Sequence, residues 1–435
     1  MSLLRSIKSI EENNIASANL VSKRRIPPLI WMLLVAAALR LAWVICSPVI
    51  PVSDFEDYRQ LAVSIVQGEG YAYDGEPTAY RPVGYPLFLA AVFWLSGSSE
   101  MAAKLAQVLL GVLTVYLTYH LGAQVFQPKT GEIAGWITAG MPSLIAYTSL
   151  LASENLALPL FLLSMLAFIS FLKTGKYYYA FAAGLFCGLT TLVRTEVLLL
   201  PLAWVGYLAI RRYGLSAIAR TVLALIVSMT LALTPWILRN YFVFGRFVPS
   251  TSNGGLLLLA AFNEFTGDPE QNVEGLTRFQ QEASALQIDE FESSSLAVLK
   301  AFQYLQDQPI QLVRLMPVKL FEFLRDDISG ISWNFKVTSR DVSPIWSATL
   351  KILAQLYYML VVVLALGTIA YRKSVASYPL YLLILLPILV WLAYFALFIA
   401  TDRYHLLILP LVVEFSAFTL SEYYQGHRDK PAVFS

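Results

Sequence analysis

The sequence predicts an all-α protein that crosses a membrane many times, and three observations predict it. Hydrophobic residues make up 57% of the 435 residues and charged residues only 14%, whereas a soluble domain carries about 25% charged residues. The apolar residues fall in blocks of roughly 20, the length at which a helix crosses a bilayer's hydrocarbon core. Between those blocks, basic residues collect in alternate connections, the pattern that marks a cytoplasmic side. The net charge of +2 is too small to argue for nucleic acid, and no basic run carries the interleaved aromatics of a nucleic-acid groove. Cys46 and Cys187, the two cysteines, both lie in apolar segments. They read as small buried hydrophobes, not as a disulfide framework or thiolate metal site. Three histidines leave little material for a His-based metal centre.

Residues 1–27 are polar, include Lys23, Arg24 and Arg25, and read as a cytoplasmic segment. The first apolar block, about 28–47, lacks a small-residue cleavage site and reads as a retained anchor. Further spans are expected near 101–124, 131–150, 154–172, 177–193, 195–210, 217–236, 350–371, 377–400 and 404–421, about ten in all. Lys129, Lys173 with Lys176, Arg211 with Arg212, Arg372 with Lys373, and Arg428 with Lys430 then fall inside, so both termini are cytoplasmic. The domain plan is a transmembrane module over 28–236 with an outer loop at 48–100, an outer segment at 237–349, C-terminal transmembrane helices over 350–421, and a tail at 422–435. The outer segment carries Asp268, Glu270, Glu290, Glu292, Arg325, Asp326 and Asp327 and is long enough for a small, mostly helical unit. No internal repeat is visible, which weighs against an inverted-repeat transporter.

The first outer loop opens with Ser53-Asp54-Phe55-Glu56-Asp57-Tyr58. Ser53 followed three residues later by Glu56 has the form of a capping box, which starts a helix at Asp54. Phe55, Tyr58, Leu61, Ala62 and Ile65 recur at helical spacing against a polar face, as in a helix lying in the membrane interface. Gly68 and Gly70 stop it. Tyr80-Arg81-Pro82-Val83-Gly84-Tyr85-Pro86 leads to a second apolar stretch, Leu87 to Leu95. That stretch is too short to span and reads as interfacial or re-entrant. In the first turn of its helix, an ionised Asp54 is favoured by the helix dipole and could take a proton from an acceptor hydroxyl. The same position is also where acidic residues commonly serve only to start helices. Glu56 and Asp57 read as solvated-face residues.

The run Asp54-x-x-x-Tyr58, then Gly68-Glu69-Gly70-Tyr71, then Arg81-Pro82-Val83-Gly84-Tyr85-Pro86, resembles the first outer loop of GT-C glycosyltransferases. The nearest group is family-39-like, related to the lipid A aminoarabinose transferases and protein O-mannosyltransferases. Ser153-Glu154, Leu192-Val193-Arg194, Thr234-Pro235-Trp236-Ile237-Leu238-Arg239-Asn240-Tyr241 through Asn253-Gly254-Gly255, and Asp402-Arg403-Tyr404-His405 continue the resemblance in order. It implies a GT-C-like helical bundle in a bacterial inner membrane, with its active site on the periplasmic or extracellular face. It also implies sugar transfer from a polyprenyl-phosphate-linked donor to a hydroxyl of a lipid, glycan or protein acceptor. Asp54 matches the family's candidate base. Phe55 stands where many relatives carry a second acid, which leaves open whether Asp57 or Glu56 shares the role. Glu154 matches a second acidic position, there to position the donor, orient the acceptor or bind a metal; alone, it reads equally as a helix-start residue capped by Ser153.

A phosphate leaving group departs as an anion without a general acid and asks for cations that hold it, which an arginine fork does well. Arg81, Arg194, Arg239 and Arg403, with His405, fall on the outer side in this topology. Arg81 and Arg403 are the favoured phosphate ligands, and Asp57, Tyr58 and Tyr85 complete the candidate substrate-binding set. Arg194 and Arg239 are open between substrate binding and structure. Salt bridges to Glu196, Asp402 or the loop acids, or snorkelling, would explain the arginines otherwise. One-step displacement at the anomeric carbon inverts configuration. A divalent metal fits such chemistry, but no ligand cluster implies one. Within the spans, Arg40 and Glu414 sit at matched depth and are expected to pair, because a lone mid-membrane charge costs at least about 2.5 kcal/mol. A transporter or flippase of lipid-linked saccharides is the runner-up, and it would line several spans with polar residues. A non-catalytic membrane scaffold comes third.

Overall fold

The computed structural model describes residues 28–264, 269–336, 338, 343–399 and 401–428. The expected cytoplasmic segment 1–27, Asp268, and Lys430 with the end of the tail lie outside the described residues.

The fold is all helical apart from one two-stranded hairpin and an isolated bridge between Val49 and Thr338. Among the described residues, six helices are long and apolar enough to cross a membrane. They are α1 (Pro28–Cys46), α4 (Glu100–Val125), α7 (Glu154–Thr174), α10 (Leu215–Phe244), α16 (Pro344–Gly367) and α18 (Leu382–Leu397, with the preceding turn from Pro379). Three of the ten expected spans are shorter helices: α5 (Pro128–Gly140), α8 (Tyr177–Thr191) and α9 (Leu200–Ile210). Proline accounts for the first of these. Pro142 cannot continue a helix, so α5 ends at Gly140, Met141 turns extended at ψ 114°, and a second short helix, α6 (Pro142–Ala146), begins. The last long helix is α20 (Leu409–Arg428), which packs against α16 and α5.

The first outer loop forms α2 (Asp54–Gln67), a hairpin of β1 (Ala72–Tyr73) with β2 (Glu76–Pro77), and α3 (Gly84–Ser96). Asp74 and Gly75 take positive φ of 48° and 83° between the strands, the backbone that a two-residue Asp-Gly hairpin turn requires. Gly68 ends α2 in the left-handed conformation at φ 84°. The start of α2 departs from a capping box. Ser53 has φ 53° and no side-chain cap bond, and Glu56 instead binds Arg59 and Gln60. The carbonyl of Ser53 does the capping, accepting from the amides of Glu56 and Asp57. The apolar face of α2 also differs from an interfacial helix: Phe55, Tyr58, Leu61 and Ala62 are buried in protein. By contrast α3 leaves Leu87, Trp94 and Leu95 exposed, as a helix at the lipid boundary would.

The outer segment begins later than 237, because α10 runs unbroken to Phe244 before Gly245 caps it at φ 68°. Beyond it lie α11 (Gly254–Ala261), α12 (Pro269–Ala285), α13 (Glu290–Asp307), α14 (Gln311–Leu324) and α15 (Ser329–Lys336). Leu259, Phe262, Phe279, Ala297, Ala301 and Leu315 give them a small core of their own. A full capping box, Asp289 with Glu292, starts α13.

Arg40 and Glu414 do not pair. Arg40 donates to the carbonyls of Ala36, Thr138 and Ala139, and the last two belong to the C-terminal turn of α5, where carbonyls lack helical partners and the dipole is negative. Arg40 lies against Gly111 and Glu414 against Gly122. Those glycines are about three turns, roughly 16 Å, apart along α4. The matched depth read from the sequence is therefore a mismatch.

Candidate active site

Four separate elements deliver charge to one place at one end of the bundle. Asp54 is the first residue of α2 and Glu154 the first of α7, so both carboxylates sit where helix dipoles favour negative charge. Arg194 lies in the link after α8, where the chain turns extended at ψ 106°. Arg403 sits on α19 (Asp402–His405), a single helical turn.

The guanidinium of Arg403 joins two of these elements. Its Nη1 donates to Asp54 Oδ2 at 2.6 Å, its Nη2 to Glu154 Oε2 at 3.1 Å, and its Nε to Glu154 Oε1. Glu154 Oε1 also accepts from Arg194 Nη1 at 2.9 Å, and Arg194 Nε continues to Glu196 Oε1 at 2.9 Å. The result is an alternating chain: Asp54, Arg403, Glu154, Arg194, Glu196. Three carboxylates and two guanidiniums leave it one negative charge in excess. Burial disfavours the charge on Arg403 and on Arg194, but the flanking carboxylates outweigh it and both stay firmly protonated. Aromatic faces seat the two cations: Phe55 lies 5.1 Å from Arg403, and Tyr404 lies 5.1 Å from Arg194.

Exposure separates the roles open to these groups. The Asp54 and Arg403 side chains are 14% and 15% exposed, so a substrate could reach them, whereas Glu154 at 4% is sealed behind the arginines. One turn along α2, Asp57 binds Arg81 through Oδ2, at 2.9 Å from Nε and 2.7 Å from Nη2. This pair is more open still, at 32% and 22%. Burial lowers the affinity of Arg81 for its proton, and Tyr58, Asp54 and Asp57 raise it by more. Tyr58 and Tyr85 are buried and meet edge to face at 5.1 Å. The Tyr85 hydroxyl donates to Gln107, whose amide spans the carbonyls of Thr148 and Leu150. These two tyrosines thus form the floor beneath the charged groups.

Two candidate residues lie apart. Arg239 donates to the carbonyls of Thr78 at 2.7 Å and Tyr71 at 2.8 Å, with its guanidinium over Trp236 and Phe244. It ties the hairpin to the end of α10. His405 points into the outer segment, with Nδ1 at 2.8 Å from the Phe323 carbonyl and Nε2 at 3.2 Å from Asp327. Ser153 makes no cap bond to the start of α7, so Glu154 is held by arginines and not by the serine. Sequence reasoning passed over the packing of Phe55 and Tyr404. The signal for Phe55 was its place beside Asp54, where the family resemblance would put a second acid.

No group of three or more His, Cys, Asp or Glu among the described residues is arranged to hold a metal ion. Both oxygens of Glu154, and Oδ2 of Asp54, are engaged by guanidiniums.

Residues 80–238 match the family model for dolichyl-phosphate-mannose-protein mannosyltransferases. No curated protein matches the chain by sequence. Among solved structures, the archaeal oligosaccharyltransferase AglB from Archaeoglobus fulgidus, in complex with an inhibitory peptide and a dolichol-phosphate, superposes with a TM-score of 0.53. Identity is 14%, over 94% of this chain and 52% of that one. The apo form of the Archaeoglobus fulgidus oligosaccharyltransferase gives 0.56 at 13% identity, over 93% and 52%. The chain has the GT-C membrane fold. A weaker likeness, TM-score 0.44 at 14% identity over 92% and 79%, links it to ArnT from Cupriavidus metallidurans bound to undecaprenyl phosphate. The chain spans about half the length of the archaeal structures it matches.

Proposed function

We propose that the chain is a glycosyltransferase that moves a sugar from a lipid-phosphate-linked donor to an acceptor hydroxyl on the outer face of a bacterial inner membrane. The observation that carries the reading is a reachable carboxylate, Asp54, fixed at a helix start and sharing Arg403 with a sealed second acid, Glu154. The family model supports the donor class, since its description names a dolichyl-phosphate sugar. The first archaeal structure supports it in the same way, having been solved with a dolichol-phosphate.

In this reaction the acceptor oxygen attacks the anomeric carbon and gives its proton to Asp54. The bond from that carbon to the phosphate oxygen breaks, and its electron pair leaves with the lipid phosphate. Attack opposite the leaving group inverts the anomeric configuration. Arg403 and Arg81 hold the phosphate, whose charge grows as the bond breaks. Glu154 and Arg194 keep Arg403 in place, and Asp57 does the same for Arg81. Tyr58 and Tyr85 shape the floor. Arg239 and His405 act through the elements they tie together. No step is routed through a metal.

The test is transfer from a polyprenyl-phosphate sugar by purified protein in nanodiscs, supplied with membrane extract as acceptor. Asp54→Asn keeps the shape and removes the base, and should lower the rate by about 10²–10⁴ while the protein stays folded. Wild-type-like transfer by Asp54→Asn removes Asp54 as the base. Translocation of the donor without transfer would replace the reading with that of a flippase.

A further inference from the structure

Arg403 sits on α19, a single helical turn joined to α20 by only three turn residues, so its bearing depends on what holds that turn. Asp402 and His405, on either side of Arg403, both face the outer segment. Asp402 Oδ2 accepts from the Ser329 amide at 2.9 Å, and its Oδ1 accepts from the Ser329 hydroxyl, at the start of α15. His405 reaches the Phe323 carbonyl with one ring nitrogen and Asp327 with the other. The Phe323 carbonyl can only accept, so Nδ1 carries the proton it shares, and Nε2 faces the Asp327 carboxyl. Tyr358 stacks on the ring at 5.0 Å and 7°. Asp326 completes the arrangement. It faces the carboxylate of Asp402 and the ring of His405, forms an ion pair with Arg325 at 3.0 Å, and lies near Asp327 and Tyr358.

We propose that the acidic turn between α14 and α15 is a latch on α19, with Asp402 and His405 as positioning residues that orient Arg403 toward the lipid phosphate. The proposal rests on Arg403 being a phosphate ligand. Asp326 faces Asp402, and two ionised carboxylates side by side repel, so a proton on Asp326 favours the latch. Burial and Asp402 push the Asp326 carboxyl up to about 6. As pH rises through that value the latch slackens, and Arg403 loses its fixed bearing.

The experiment uses the full chain in nanodiscs, with two readouts. Hydrogen exchange over residues 401–409, corrected for the intrinsic pH effect, reports the latch directly. Binding of undecaprenyl phosphate, the leaving group without its sugar, reports Arg403. Asp402→Ala should speed exchange and weaken binding by about tenfold, the equivalent of about 1.4 kcal/mol, at unchanged melting temperature. Should that variant fail to fold, Ser329→Ala removes one of the two bonds and should show the same shifts in smaller measure. Asp402→Asn keeps an acceptor for Ser329 and offers Asp326 a donor. It should restore binding and flatten its pH dependence between 5 and 7. Unchanged exchange in Asp402→Ala overturns the latch. So does faster exchange with wild-type binding, provided that Arg403→Gln binds poorly. If Arg403→Gln binds as well as wild type, the phosphate role fails and the latch is judged by exchange alone.

Discussion

Charge is handled in two ways in this molecule. At one end of the bundle, Asp54, Arg403, Glu154, Arg194 and Glu196 satisfy one another, side chain to side chain. Deeper in the bundle, Arg40 gives its two terminal nitrogens to backbone carbonyls while its Nε finds no partner, and Glu414, fully buried, has neither oxygen hydrogen-bonded by a side chain. Side-chain partners can be exchanged for a substrate's charges; helix carbonyls cannot. The chain of charges is thus suited to changing partners, whereas Arg40 fastens α1 to the end of α5 and stays there.

That contrast can be broken or sharpened by substitution. The largest effect is expected from Glu154→Gln, which leaves two buried guanidiniums short of a carboxylate. Removing one partner of a buried pair costs about 3–5 kcal/mol. Thermal unfolding in detergent should register the loss, and transfer should fall with it. Wild-type melting in that variant would show that the arginines do not depend on Glu154. Gly122→Val comes next. A Cβ at 122 would overlap Glu414 and press on Gly131, and overpacking typically costs about 1–3 kcal/mol, read as lower folded yield. Gly122→Val combined with Glu414→Ala should recover part of that yield, whereas neither change should alter Asp54 chemistry in the folded fraction.

A smaller effect concerns pH. The Asp326 carboxyl lies at about 6 in the folded chain against an ordinary 3.8, through burial first and then Asp402. A raised acid stabilises the fold at low pH. Its contribution is complete below about 4 and is lost as pH rises through about 6. Melting temperature should therefore fall between about pH 4 and 6 in wild type and fall less in Asp326→Asn; parallel curves would refute this. The smallest effect on chemistry is expected from Arg239→Met. Because Arg239 grips the carbonyls of Thr78 and Tyr71, its loss should lower stability by about 1–3 kcal/mol and leave donor affinity little changed. A large rise in KM for the donor at unchanged melting temperature would instead place Arg239 on the substrate.

How much of this was legible in the sequence depends on the range of the interaction. Helix positions were legible where apolar length and a local breaker such as Gly68 act together, whereas Pro142 and Gly245 set boundaries that the expected spans 131–150 and 217–236 missed. The candidates Asp54, Glu154, Arg194 and Arg403 were legible as a set through ordered short motifs, and the fold brings all four together. Partner choice was not legible. Ser53 has the residue type of an N-cap but the wrong backbone angle, which no pattern of side chains reveals. Arg40 and Glu414 were paired from counts of residues along two helices. The close approach of α4 to both, through Gly111 and Gly122, sets their true levels. Arg239, open in the sequence between substrate binding and structure, and His405, a candidate beside Arg403, each make their contacts within the protein, a fact that depends on where Thr78 and Asp327 arrive in space.

The chain of charges draws on residues 54, 154, 194 and 403. A ribosome delivers these in that order. For most of its synthesis the growing protein carries an acid at the membrane surface with no cation to answer it. The site closes when the last long helix but one has been threaded and Arg403 arrives. A chain stopped at residue 400 would hold nearly all the helices and yet lack the one guanidinium that joins the two acids.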